Sequence, residues 1–129
     1  MLFRSMRVLI VDDDPAILRS LRDVLELDGH RIVTASGGQE GIDTFRSALT
    51  RGEPFDLVVT DLGMPFIDGR RVAEAVKEHS AATPVILLTG WGQRLIADGE
   101  TPPHVDLVLS KPPQRRRLRD AIAQCCLAQ

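Results

Sequence analysis

Three consecutive aspartates, Asp12-Asp13-Asp14, close the aliphatic run Val8-Leu9-Ile10-Val11, and Asp61 closes the run Leu57-Val58-Val59-Thr60. Carboxylates held near one another repel, and each raises the other's pKa. A hard divalent cation relieves that repulsion, and Mg²⁺ suits one or two carboxylates, a carbonyl and several waters. Two further apolar runs end in groups of complementary chemistry: Pro84-Val85-Ile86-Leu87-Leu88 leads to Thr89, and Val105-Asp106-Leu107-Val108-Leu109 leads to Ser110-Lys111. A lysine brings a compact positive charge suited to phosphate, and a threonine hydroxyl adds a hydrogen bond to the same group. An aspartate set among these can act as a nucleophile and form an aspartyl phosphate. Phosphoryl transfer then asks mainly for positioning and charge neutralisation. Singly, each residue is ordinary: an aspartate after a strand is usually a turn residue or cap, and Asp14 reads as one.

The elements that must carry these groups follow from the apolar pattern. Residues 8–11, all aliphatic, read as a strand buried on both faces. Pro15 suits the first position of a helix capped by Asp14. Ile17, Leu18, Leu21, Val24 and Leu25 recur at helical spacing, and Asp28-Gly29 ends the helix. A strand is expected over 30–35, then a helix opened by Ser36-Gly37-Gly38-Gln39, which resembles a capping box, with Ile42, Phe45 and Leu49 inward. Strands over 55–60, 84–89 and 105–109 follow, with a helix over 71–79 that turns Val72, Ala75 and Val76 inward. A last helix spans 113–127, with Leu118, Ile122 and Cys125 on one face. Residues 90–104 hold Gly90, Gly92, Gly99, Pro102 and Pro103, so any helix there is short. Strands alternating with helices predict an α/β fold with helices on both faces of a parallel sheet. Ligands in such folds sit beyond the carboxyl ends of the strands, where the strand order changes direction. Asp12, Asp13, Asp61, Thr89 and Lys111 are all predicted there.

The 129 residues suit one domain, 43% hydrophobic and 26% charged, able to bury a core without staples. A net charge of −2 offers no bulk attraction to nucleic acid or anionic lipid. The adjacent Cys125 and Cys126 read as reduced thiols, since neighbouring residues rarely make a disulfide, and they fit a cytoplasmic location. No apolar run is long enough to span a membrane, and the first residues do not form a signal peptide. Arg115-Arg116-Arg117 and Arg119 read first as a solvated face and second as a protein-docking face. Without interleaved aromatics, a nucleic-acid role ranks last.

The motifs together resemble the receiver domain of bacterial response regulators. Val8-Leu9-Ile10-Val11-Asp12-Asp13-Asp14 is similar to its first strand and acidic pair. Asp56-Leu57-Val58-Val59-Thr60-Asp61-Leu62-Gly63-Met64-Pro65 with Asp68-Gly69 is similar to the phosphoacceptor strand and loop. Pro84-Val85-Ile86-Leu87-Leu88-Thr89-Gly90 resembles the strand that ends in the switch threonine, and Ser110-Lys111-Pro112 the Lys-Pro turn. The likeness runs over about residues 7–127, and softer features around Trp91 and Lys111 resemble receivers attached to hybrid sensor kinases. It implies a flavodoxin-like doubly wound sheet of five parallel strands, order 2-1-3-4-5, as one receiver domain over 1–129 with no output domain. It also implies Asp61 as phosphoacceptor, Mg²⁺ held by Asp12, Asp13, Asp61 and the Gly63 carbonyl, and Thr89 and Lys111 on the phosphoryl group. It further implies a cis Lys111-Pro112 bond that aims the lysine. The implied partners are a histidine kinase or histidine phosphotransfer protein, an unidentified downstream protein, and in some settings a second copy. No nucleic acid or membrane is implied. Such a protein is a switch that catalyses only its own phosphoryl transfer and slow autodephosphorylation.

Two positions depart from the family pattern, Val108 and the unusually large Trp91. Val108 stands where an aromatic switch residue is common. Gly63 and Trp91 flank the path of the hydrolytic water, a pairing that predicts a long-lived phosphorylated state. Two other classes compete. A haloacid-dehalogenase-like phosphatase needs a second acid two residues after its nucleophile, where this chain has Gly63. A pseudo-receiver, binding partners without phosphorylation, would not need the full set of five site residues.

Overall fold

The computed structural model describes residues 5–90 and 101–127. Strand β1 (Arg7–Val11), β2 (Arg31–Ala35), β3 (Leu57–Asp61), β4 (Val85–Thr89) and β5 (Leu107–Ser110) form one sheet of order β2-β1-β3-β4-β5, every pairing parallel. Helices α1 (Pro15–Leu27), α2 (Gly38–Thr50), α3 (Gly69–His79) and α4 (Arg115–Ile122) connect or follow the strands. The fold expected from the motifs is the one observed. Among the described residues, no helix is long and apolar enough to cross a membrane.

The all-aliphatic strands explain the layering. Successive side chains of a strand point to opposite faces, so Leu9 and Val11 of β1 enter one core and Val8 and Ile10 the other. Val58, Val85 and Leu87 join the first core, and Leu57, Val59, Ile86 and Leu88 the second. Helices α2 and α3 cover the first through Phe45, Val72 and Val76, while α1 and α4 cover the second through Leu21, Leu25, Leu118 and Ile122. A parallel sheet covered on both sides needs strands without a polar alternation, which is how β1, β3 and β4 read.

Several boundaries differ from the sequence expectation for local reasons. β3 begins at Leu57 because Phe55 turns into the core against Phe45, the ring centroids 6.3 Å apart. β5 begins at Leu107 because the Asp106 carboxylate is taken by the Val85 N–H at 2.8 Å and the Lys77 ammonium at 2.9 Å. α3 starts at Gly69, since Asp68 accepts from the Arg70 and Arg71 N–H groups at 2.9 and 3.2 Å. The expected box at Ser36 and Gln39 is not formed. The cap is Gly37, with no side-chain bond, and Glu40 reaches back to the Ser36 N–H and hydroxyl. The last helix is α-helical only to Ile122 and continues as a π-helical turn over Ala123–Leu127. Asp14 caps α1 by accepting from the Ala16 N–H at 2.9 Å, and Lys111-Pro112 is cis, as the resemblance implied.

The basic run is not simply solvated. Arg115, at 3.2 Å, and Arg119 both donate to Asp28, the C-cap of α1, whose side chain is only 5% exposed. Burial works against the charge of Asp28, but the Arg119 hydrogen bonds outweigh it, with Arg115 adding to them, and hold the carboxyl at about 2. A folded-state value below the unfolded one means stability present above the ordinary carboxylate range and lost as pH falls through it toward 2. The arginines are half-exposed, so screening reduces the effect. Asp28→Ala is expected to cost about 1 kcal/mol at pH 7. Urea midpoints of mutant and wild type should converge as pH drops below about 4. A gap that persists at low pH would show that packing, not charge, ties α4 to α1.

Candidate functional site

The change in strand order falls between β1 and β3, which are neighbours although β2 lies between them in the chain. The carboxyl ends of those two strands therefore flank the crevice. Asp61 is the last residue of β3, and Asp12 directly follows β1, its N–H bonded to the Ala35 carbonyl at 3.1 Å. Asp12 is completely buried and Asp61 nearly so, whereas Asp13 is exposed. One carboxylate oxygen from each of Asp12, Asp13 and Asp61 lies within 4.8 Å of the others. Lys111, just past β5, sets its ammonium 3.1 Å from Asp12 Oδ2 and 3.2 Å from Asp61 Oδ1. Its backbone N–H donates to the Thr89 carbonyl at 2.8 Å, which ties the lysine turn to the end of β4.

The electrostatics follow from burial. Loss of solvent pushes the Asp12 carboxyl above its ordinary value, and the Asp61 charge adds to this; the Asp14 N–H, 2.9 Å from Asp12 Oδ1, and Lys111 oppose it. Burial pulls Lys111 down, but Asp12 and Asp61 together outweigh it and leave the ammonium above its ordinary value. Lys111 thus stays protonated between two carboxylates.

The donor set fits a hard divalent cation. It offers only carboxylate oxygens, three of them within a span that such an ion can bridge. Asp12 Oδ2 is buried, with the Lys111 ammonium 3.1 Å away. Gly63 lies two residues past Asp61 in the exposed part of the loop, and Thr89 ends β4 opposite Ser110 in register. Asp13, the exposed member, can be replaced without opening the core. Asp13→Ala is expected to weaken Mg²⁺ binding by at least about tenfold with an unchanged melting temperature. Calorimetric titration of both proteins checks this, and equal affinities would remove Asp13 from the ligand set.

Motif reading did not single out Gly69 as a site residue. A Cβ there would collide with the Asp61 carbonyl oxygen and lie 2.7 Å from Leu87 Cδ1. The start of α3 therefore rests directly on the end of β3, and the Gly69 N–H donates to the Leu62 carbonyl at 2.9 Å. The Asp68-Gly69 pair is the signal of this position in the sequence. Val108 is a half-buried member of the first core, in register with Leu87. Trp91 lies outside the described residues.

A model of the response regulator receiver domain matches residues 8–123. The chain belongs to the response regulator receiver family. Over 92% of its length, this receiver domain is 31% identical to the sensor histidine kinase GacS of Pseudomonas protegens and 35% identical to the transcriptional regulatory protein GlrR of Escherichia coli. It spans only 13% and 26% of those two proteins. Among solved structures, the response regulator TrrA of Thermotoga maritima, in complex with Mg²⁺-BeF, aligns with a TM-score of 0.80 at 29% identity, covering 93% of this receiver domain and 98% of that chain. A receiver protein from Sinorhizobium medicae aligns with a TM-score of 0.81 at 25% identity over 97% of each. Receivers thus occur in both hybrid-kinase and regulator settings, and this one resembles both.

Proposed function

We propose that the domain is a phosphoacceptor switch of histidine-to-aspartate signalling, loaded on Asp61 with the help of Mg²⁺. The observation that carries this reading is Lys111, poised 3.1 and 3.2 Å from Asp12 and Asp61 beside a cluster of three carboxylates. An Asp61 carboxylate oxygen attacks the phosphorus of a phosphohistidine. The O–P bond forms as the P–N bond breaks, and the electron pair returns to the imidazole nitrogen, which takes up a proton. Asp12, Asp13, Asp61 and the Gly63 carbonyl would hold Mg²⁺, which when bound supplies neutralisation for the charge on the phosphoryl oxygens. Lys111 exchanges a carboxylate partner for a phosphoryl oxygen, and the Thr89 hydroxyl donates to another. Since Lys111 and the Thr89 carbonyl are already joined, the move at β5 reaches β4 and shifts the surface that a downstream partner meets.

In this reading the domain turns over no outside substrate. Its phosphodonor is a histidine kinase or a histidine phosphotransfer protein. Gly63 leaves no side chain to orient the hydrolytic water, which supports a long-lived phosphorylated state. Beryllofluoride with Mg²⁺, followed by amide NMR, tests the switch. Shifts confined to the ends of β1, β3, β4 and β5 and their neighbours support it. No Mg²⁺-dependent change would leave the pseudo-receiver reading, a binding module independent of phosphorylation.

A further inference from the structure

Among the described residues two large apolar side chains are exposed, Leu27 and Phe66, and Phe66 is wholly so. Its backbone is also unusual, with φ at 67°. The Ile67 N–H donates to the Pro65 carbonyl at 2.7 Å, closing a three-residue turn centred on Phe66. A turn of this hand is rare and strained, and a bulky residue in the left-handed region is an outlier. Such a conformation persists where the surroundings over-determine it, and it concentrates at functional sites. Both flanks of Phe66 are pinned. Pro65 has a fixed φ. Ile67 packs on the first core and fills the space over Gly38, where a Cβ would sit 2.6 Å from Ile67 Cγ2. Asp68 is committed to capping α3. The ring is therefore held out in water by structure on both sides.

Its place gives that arrangement a use. The loop leaves β3 directly after Asp61, at the carboxyl edge of the sheet. The Asp61 side chain is only 5% exposed, so a donor must seat closely against the surrounding loops to reach it. We propose that Phe66 is a docking anchor for the phosphohistidine-bearing protein, its ring entering an apolar pocket beside that partner's imidazole. The inference rests on the phosphoacceptor reading of Asp61. A rigid, pre-positioned aromatic gives up little freedom on binding, and interface energy concentrates in such anchors.

The test compares two kinds of phosphodonor on wild type, Phe66→Asn and Phe66→Leu. Asparagine tolerates the left-handed backbone and removes the ring, while leucine keeps an apolar group. The protein donors are the histidine kinases and phosphotransfer proteins of the source organism, phosphorylated with labelled ATP; the small donor is acetyl phosphate with Mg²⁺. Transfer from the fastest protein donor is expected to fall about tenfold or more in Phe66→Asn and to recover in part in Phe66→Leu. Acetyl phosphate should load all three alike. Equal transfer from the protein donor, or parallel slowing with both donors, would overturn the proposal. So would labelling by acetyl phosphate but by no protein donor, or sedimentation showing that the ring instead joins two copies of the domain. Failure of wild type to accept from either donor would refute the phosphoacceptor reading itself, and the anchor with it.

Discussion

Asp61→Asn is expected to abolish phosphorylation, with labelling by acetyl phosphate and Mg²⁺ falling at least about a hundredfold. The amide keeps the shape of the side chain and removes its nucleophilic charge. Lys111 retains Asp12 as a partner at 3.1 Å, so the lysine is not left unpaired. One carboxylate fewer in the cluster relieves repulsion, and the mutant should melt no lower than wild type. Those two readouts separate lost chemistry from lost fold. Asp12 and Asp13 are the carboxylates nearest to hand, so intact mass followed by peptide mapping is the decisive measurement. A phosphoryl group of equal occupancy in the mutant would place the acceptor elsewhere in the cluster.

The second large effect is expected at Gly69, which touches no substrate in any reading. A methyl group at this position meets the Asp61 carbonyl oxygen and the Leu87 side chain, both buried. A backbone oxygen cannot swing aside as a flexible side chain would, so α3 must back away from β3. Overpacking of this kind costs about 2–3 kcal/mol, against the small gain that alanine normally brings to a helix. Gly69→Ala should therefore unfold at clearly lower urea concentration, and Asp61 should load more slowly even where the protein remains folded. Gly37 provides the contrast. Nothing lies within 4 Å of a Cβ there, so Gly37→Ala is expected to lose only its modest cap preference, under about 1 kcal/mol. Similar costs at both glycines would mean that backbone freedom, not the approach to Asp61, explains Gly69.

Much of this protein was legible in order along the chain. Uninterrupted aliphatic runs at 8–11, 57–59 and 85–88 call for a sheet covered on both faces, and that demand sets the α/β layering. Because such a sheet places its ligands past the strand ends, the residues that terminate the runs named Asp12, Asp13, Asp61, Thr89 and Lys111 as a group. Local signals also placed the Asp14 cap, since a cap depends on a few neighbouring residues.

Tertiary structure decided the rest, because the deciding partners are distant in sequence. Asp28 and Arg119 are 91 residues apart, and neither residue type suggests the other. At the start of β5 the Asp106 N–H still donates to the Val85 carbonyl, but the Val85 N–H is taken by the Asp106 carboxylate, which Lys77 also holds, an arrangement that no strand pattern encodes. Gly69 read as a turn signal, yet its constraint is the carbonyl of Asp61 pressed against it. Phe66 is an aromatic residue, a type more often buried than fully exposed. It stands in solvent because Ile67, Gly38 and Asp68 fix the chain on either side of it, a result of packing that composition alone does not contain.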